Sequence, residues 1–162
     1  MKKLSFILAL IIAGSVFSGS LIRYNRARQA RFTVDILQRY ISALERIADQ
    51  RVLSLGDLPD FDIISAQDSL RLRSADLKQN PLRGGYVYDM QSEGDGLYVI
   101  SASPVGLLSP RVEYGITEQG VLKENFRGVD PFPDSRAEVS AWPPIDRIEN
   151  ARTRDLPEYL RH

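Results

Sequence analysis

The sequence predicts an α+β fold. One long N-terminal helix begins in a membrane and packs its second half on a small antiparallel β-meander of three or four strands. An irregular Pro-rich C-terminal tail follows. Three observations predict this. Residues 4–22 (LSFILALIIAGSVFSGSLI) carry no charge. No Gly or Pro interrupts the chain between Leu21 and Leu55. Beyond that stretch, runs of alternating aromatic and small residues are separated by Gly-containing turns, the pattern of hairpin-connected strands.

The 19 uncharged residues of 4–22 make about 28 Å of helix, close to a hydrocarbon core of about 30 Å. Lys2 and Lys3 before the run favour a cytoplasmic N-terminus. Arg23, Arg26, Arg28 and Arg31 after it are read as reaching the opposite headgroup layer, since long cationic stems snorkel. A second reading is a cleaved signal peptide, with 4–12 as the apolar region and Ser18-Gly19-Ser20 before the cut. A third is a helix buried in a soluble protein.

Charge supports an asymmetric chain. The totals balance, 21 Lys+Arg against 21 Asp+Glu. Residues 23–51, however, carry seven Arg against Asp35, Glu45 and Asp49, and residues 52–162 carry 12 basic and 18 acidic residues. A basic end suits a membrane or a charged partner, and the neutral total argues against a nucleic-acid-binding face.

The helix is predicted to continue to about Leu53. Apolar residues recur at Ala30, Val34, Leu37, Tyr40/Ile41, Leu44 and Ile47/Ala48, a stripe along one face. Asp35 and Arg39 fall on the other face and can pair at i,i+4. Gly56 and Pro59 stop the helix. About 50 helical residues give roughly 75 Å. A small domain cannot bury that length, so lipid or copies of the chain must cover the first half.

Residues 56–62 (GDLPDFD) read as a turn-rich linker. Its Asp57, Asp60 and Asp62 read as solvated loop acids. Residues 63–78 are ambiguous: a short helix at 66–77 is one reading, with Leu70, Arg71 and Leu72 spoiling a clean period. Strands are expected at 86–90, 97–103, 111–117 and 121–124, with turns at 93–96 and 118–120.

Asn80-Pro81-Leu82-Arg83-Gly84-Gly85-Tyr86-Val87-Tyr88, the strand DGLYVISASPVG and the ending Tyr114-Gly115-Ile116-Thr117-Glu118-Gln119-Gly120-Val121-Leu122 follow the apolar run and the helix ARFTVDILQRYISALERI in that order. Over about residues 2–125 the chain resembles type IV pilin-like proteins, particularly the pseudopilins of type II secretion systems. The resemblance implies a structural subunit of a filament or envelope complex. It would be single-pass in a bacterial inner membrane, with the C-terminal domain facing the periplasm or cell exterior. Its partners would be the bilayer, through 4–22, and copies of itself or other subunits. The chain departs from the family at three points. No Gly precedes the run and no Glu lies within it, so a standard prepilin peptidase site is missing. Ser103-Pro104-Val105-Gly106 offers no carboxylate for the family's calcium loop, and no calcium is expected there. These departures keep two alternatives open: a non-filament accessory subunit of a larger membrane complex, and a secreted domain with a cleaved signal.

The domains are therefore an anchor at 1–22, the amphipathic continuation at 23–55, a sheet domain at 56–125 and a tail at 126–162. The tail holds five of the nine prolines, yet also Phe132, Trp142, Ile145, Ile148, Leu156, Tyr159 and Leu160. It either wraps its own domain or docks a partner through Trp142, Pro143, Pro144 and Ile145. The candidate partner-binding residues are these four with Arg23, Arg26, Arg28 and Arg31. There is no Cys, and the sole His is His162. No nucleophile–base pair, phosphate-binding loop or metal-ligand spacing is found. No enzyme activity, cofactor or metal is expected.

Overall fold

The computed structural model describes residues 2–65, 70–106, 109–126 and 135–145, with side chains for 18–64 and for the later described residues. Helix α1 runs over Lys2–Ala48. Its 47 residues amount to about 70 Å. It stops at Ala48 rather than near Leu53. There Asp49 enters the left-handed region at φ 49°, and the Gln50 N–H turns back to the Leu44 carbonyl at 3.3 Å. Asp tolerates this conformation better than most residues. Among the described residues no helix is long and apolar enough to cross a membrane. Residues 4–17 of the expected anchor lie outside those with described side chains.

The sequence pattern gave α1 one buried stripe. The structure buries most of its circumference between Ala30 and Leu44, including Asp35 at 0% exposure. A helix covered all round needs more than one packing partner. One is an antiparallel sheet of five strands in the order β3-β4-β5-β6-β7. These are Leu82–Arg83, Tyr86–Gly94, Leu97–Pro104, Val112–Thr117 and Lys123–Phe126. The second cover comes from residues 52–77. Val52, Leu55, Leu58, Phe61, Ile63, Leu72 and Leu77 join the same core, and the Phe61 ring lies 4.5 Å from that of Tyr40.

Three expectations about the middle of the chain are corrected. The meander has five strands, not three or four, because Leu82–Arg83 pairs with β4 across the Gly84–Gly85 turn. Its last strand is Lys123–Phe126 rather than 121–124. In the ambiguous segment, β1 (Asp62–Ser65) pairs with β2 (Leu70–Arg73), and helix α2 covers only Ser74–Gln79; residues 66–69 lie outside the description. Leu72 is buried while Arg71 and Arg73 are exposed. That is a period of two, which is why Leu70, Arg71 and Leu72 fitted no helical stripe. The three linker acids take separate local partners: Asp57 accepts from Ser54 Oγ at 2.9 Å, Asp60 pairs with Lys78 at 3.2 Å and Asp62 accepts from Arg71 Nε at 2.8 Å.

The central strands are buried on both faces. Tyr98, Ile100 and Ala102 of β5, with Tyr114 and Ile116 of β6, belong to the main core with α1. Val99 points the other way, into a cluster with Val139 and Trp142. The tail is thus not irregular throughout. Helix α3 (Arg136–Ala141) opens on a capping box between Ser135 and Glu138. Pro144 then bridges Lys123 in antiparallel fashion at the edge of β7. Residues 127–134 and 146–162, with the other tail aromatics and prolines, lie outside the described residues.

Candidate functional site

Two surfaces carry the residues singled out in the sequence: the neck where α1 leaves the domain, and the strap formed by α3 and residues 142–145.

At the neck, Leu21, Ile22 and Tyr24 are exposed. One turn later the helix meets the sheet. The β3–β4 turn lies directly on it, which explains the paired glycines of the Asn80–Tyr88 stretch. A Cβ on Gly84 would stand 2.6 Å from Gln29 Oε1, and one on Gly85 would stand 2.9 Å from Arg26 Nη1 and 2.5 Å from Ser109 Oγ. Both glycines also hold positive φ, at 58° and 80°, where a side chain is strained. Arg26 Nη1 donates to Ser109 Oγ at 3.5 Å.

Arg31 is held from two sides. Its Nη2 donates to Glu124 Oε2 at 3.1 Å, and its guanidinium lies 5.3 Å from the Tyr114 ring centroid, within cation–π range. Burial pushes the Tyr114 hydroxyl up from its ordinary pKa, and Arg31 pulls it partly back. The neighbouring Tyr86 is raised further, chiefly by burial. Its hydroxyl donates to the Val112 carbonyl at 3.1 Å. Around this neck lie two open hollows. One, of about 350 Å³, is lined by Tyr24, Ala27, Arg28, Arg31 and Tyr114. The other, of about 370 Å³, is lined by residues including Ile22, Arg26, Arg28 and Leu70. Arg28 borders both. Arg23 precedes them on an exposed turn.

The strap is fixed at several points. Arg136 Nε donates to Glu118 Oε2 at 2.9 Å, and a second guanidinium nitrogen reaches the other carboxylate oxygen. This pairing is the main cause that holds Glu118 below the usual glutamate pKa. Lys123 Nζ donates to the Ser140 carbonyl. The Glu124 N–H donates to the Pro143 carbonyl at 3.1 Å, and the Ile145 N–H to the Leu122 carbonyl at 2.9 Å. Trp142 is only 9% exposed. Of the four predicted tail residues, then, Trp142 and Ile145 are packed on their own domain and Pro143 and Pro144 stay exposed.

Glu124 connects the two surfaces, through its carboxylate to Arg31 and its backbone N–H to Pro143. Sequence reading passed over it, since nothing in a short polar strand marks one acid as a junction. The Ser135–Glu138 box was readable in the sequence as a helix start and was missed because the surrounding prolines masked any period.

Among the described residues no group of three or more His, Cys, Asp or Glu could hold a metal ion. The buried Asp35 is paired with Arg39 at 3.0 Å, within one helix. No family model, curated protein or solved structure matches the chain.

Proposed function

We propose that this chain is a membrane-anchored, pilin-like structural subunit that acts by assembly, not by catalysis. One observation carries the reading. Of the α1 residues with described side chains, 18–48, the domain buries about Ala30 to Leu44, about 22 Å of a helix of roughly 70 Å. Leu21, Ile22 and Tyr24 remain exposed on the helix before it. A helix that outruns its domain needs lipid or neighbouring helices around the excess. The uncharged run 4–22 suits lipid, and its four Ser and two Gly suit close helix–helix approach. The order of family-like pieces supports a pseudopilin-like subunit. The Gly84–Gly85 turn gives one of those pieces a physical role, seating the sheet on the neck. The acidic remainder of the chain can then face the basic neck of a neighbouring copy. Such exposed pairs are worth about 0–1 kcal/mol each and set register more than affinity.

The chain has no Cys, so a single introduced thiol reports one position. Cys substitutions stepped through residues 18–28 in membranes should cross-link between subunits with a three-to-four-residue period. Uniform absence of cross-links across that window overturns assembly through α1. N-terminal mass spectrometry tests the anchor: a mature chain beginning near Leu21 overturns it.

A further inference from the structure

The two edges of the five-stranded sheet are finished differently. At β7 the strap lies along the edge, where the Glu124 N–H donates to the Pro143 carbonyl and the Ile145 N–H to the Leu122 carbonyl. Pro143 and Pro144 carry no N–H, so the strap's own outer side offers few donors. At the other edge, β3 has two residues and β4 has nine. The Tyr88 N–H donates to the Pro81 carbonyl at 3.0 Å. Pro81 has no N–H to return, and the ladder stops there. Alternate residues of an antiparallel strand turn their backbone groups to the same side. Met90 and Ser92 therefore turn their N–H groups outward past Tyr88. Among the described residues no backbone hydrogen bond reaches them on that side. Such an edge can take one more strand. Tyr88 and Met90 point into the core, so Asp89, Gln91 and Glu93 lie on the face away from α1. There Gln91 Nε2 donates to Asp89 Oδ2 at 2.9 Å, and Glu93 is exposed.

Orientation selects the occupant. α1 runs alongside β5, with Arg26 meeting Ser109 past one end of that strand and Ser42 meeting Tyr98 at the other. Antiparallel pairing of β4 with β4 of a second copy would turn the two helices in opposite directions, which anchors inserted the same way forbid. Copies aligned in one direction set the β7 edge of one beside the β4 edge of the next. Residues 146–162, outside the described residues, leave from Ile145 at that β7 edge. Within them Ala151-Arg152-Thr153-Arg154 alternates Arg with small or β-branched residues, the pattern of a strand with one charged face. That charge complements Asp89 and Glu93.

We propose that residues 150–155 of one copy add as a strand to the open edge of β4 in the next, with Arg152 and Arg154 facing Asp89 and Glu93. The inference rests on the anchored, assembling reading above and names a contact through which copies join outside the membrane.

The test uses full-length single-Cys variants reconstituted together in liposomes under mild oxidation. Gln91→Cys chains are mixed with chains carrying one Cys at each of positions 150–155. We expect disulfide heterodimers at every second position, since only alternate residues share a face with Gln91. With Asn150→Cys as the donor, Arg152→Glu and Arg154→Glu together should cut the yield several-fold. Asp89→Lys with Glu93→Lys on the Gln91→Cys chain should restore it. Circular dichroism melts of each variant report folding independently. Cross-links without alternation, Gln91→Cys homodimers alone, or a disulfide that forms only when both thiols sit in one chain overturn donation between copies. Unchanged yield after charge reversal overturns the pairing of Arg152 and Arg154 with Asp89 and Glu93. Parallel samples carry the α1 thiols at 18–28. Cross-links there with none at 150–155 overturn the strand donation and leave assembly standing, and absence of both overturns both.

Discussion

Gly115 and Trp142 meet across the outer face of the sheet: a Cβ added to Gly115 would stand 3.0 Å from Trp142 Cζ3, and 2.6 Å from Cγ1 of the neighbouring Val139. The strap therefore sits in a groove that exists because β6 has no side chain there. Gly115→Ala should push α3 and Trp142 outward and cost about 1–3 kcal/mol, the usual range for overpacking. Trp142→Ala should cost about 3 kcal/mol through the void it leaves. Chemical denaturation of the full chain in detergent measures both. Because the two residues share one contact, the double variant should lose less than the sum of the single losses.

The β3–β4 turn should be equally intolerant. Gly85 holds φ 80° with Ser109 and Arg26 against it. Gly85→Ala should cost about 2 kcal/mol, from backbone strain and the close approach together. Protease susceptibility at the neck of α1 should rise in this variant, since the turn that braces the helix is displaced. Unchanged stability and unchanged cleavage would show that the turn does not brace α1.

The Glu118–Arg136 pair should shape the acid limb of stability. Arg136 lowers the Glu118 pKa from 4.5, so the folded state favours the carboxylate. The pair's contribution is full above pH 4.5 and disappears as pH falls through the lower folded value. Glu118→Gln should be less stable than wild type at neutral pH, and the two melting curves should converge in acid. Parallel curves at every pH would rule out this linkage.

The buried tyrosines should govern the alkaline limb. Burial raises Tyr88 from 10.0 to about 12 and raises Tyr86 and Tyr98 in the same direction. A raised phenol pKa means the fold prefers the neutral form. Stability should therefore hold below pH 10 and fall as pH rises from there toward the folded value. Absorbance titration should show a fraction of phenolate appearing only with unfolding, and Tyr88→Phe should shift alkaline unfolding to higher pH. A smooth titration of all tyrosines near their ordinary value would contradict this.

The long helix was legible because its signals are local. An uninterrupted stretch without Gly or Pro and a three-to-four-residue apolar repeat need no partner to be recognised. β5 was legible for the same reason, since the apolar run Leu97-Tyr98-Val99-Ile100, rich in strand-favouring residues, follows directly on an Asp-Gly turn. The Asp95–Gly96 turn bears this out, with φ 51° and 76°. What escaped were elements too short to carry a period: the two-residue β3, the β1–β2 hairpin and the six-residue α3. Their stability comes from the neighbours they meet.

The sequence by itself determined the α+β order, the uncharged run, the concentration of arginines after it and the absence of thiol and internal imidazole chemistry. These are properties of composition and spacing along the chain. Only the tertiary structure decided which tail residues are spent inside the domain and which arginines border open hollows. Trp142 is packed because β6 has Gly115 opposite it, and Arg31 is engaged because β7 brings Glu124 to it. Both pairings join residues far apart in the chain, and side-chain burial depends on what folding places alongside, which no local pattern encodes.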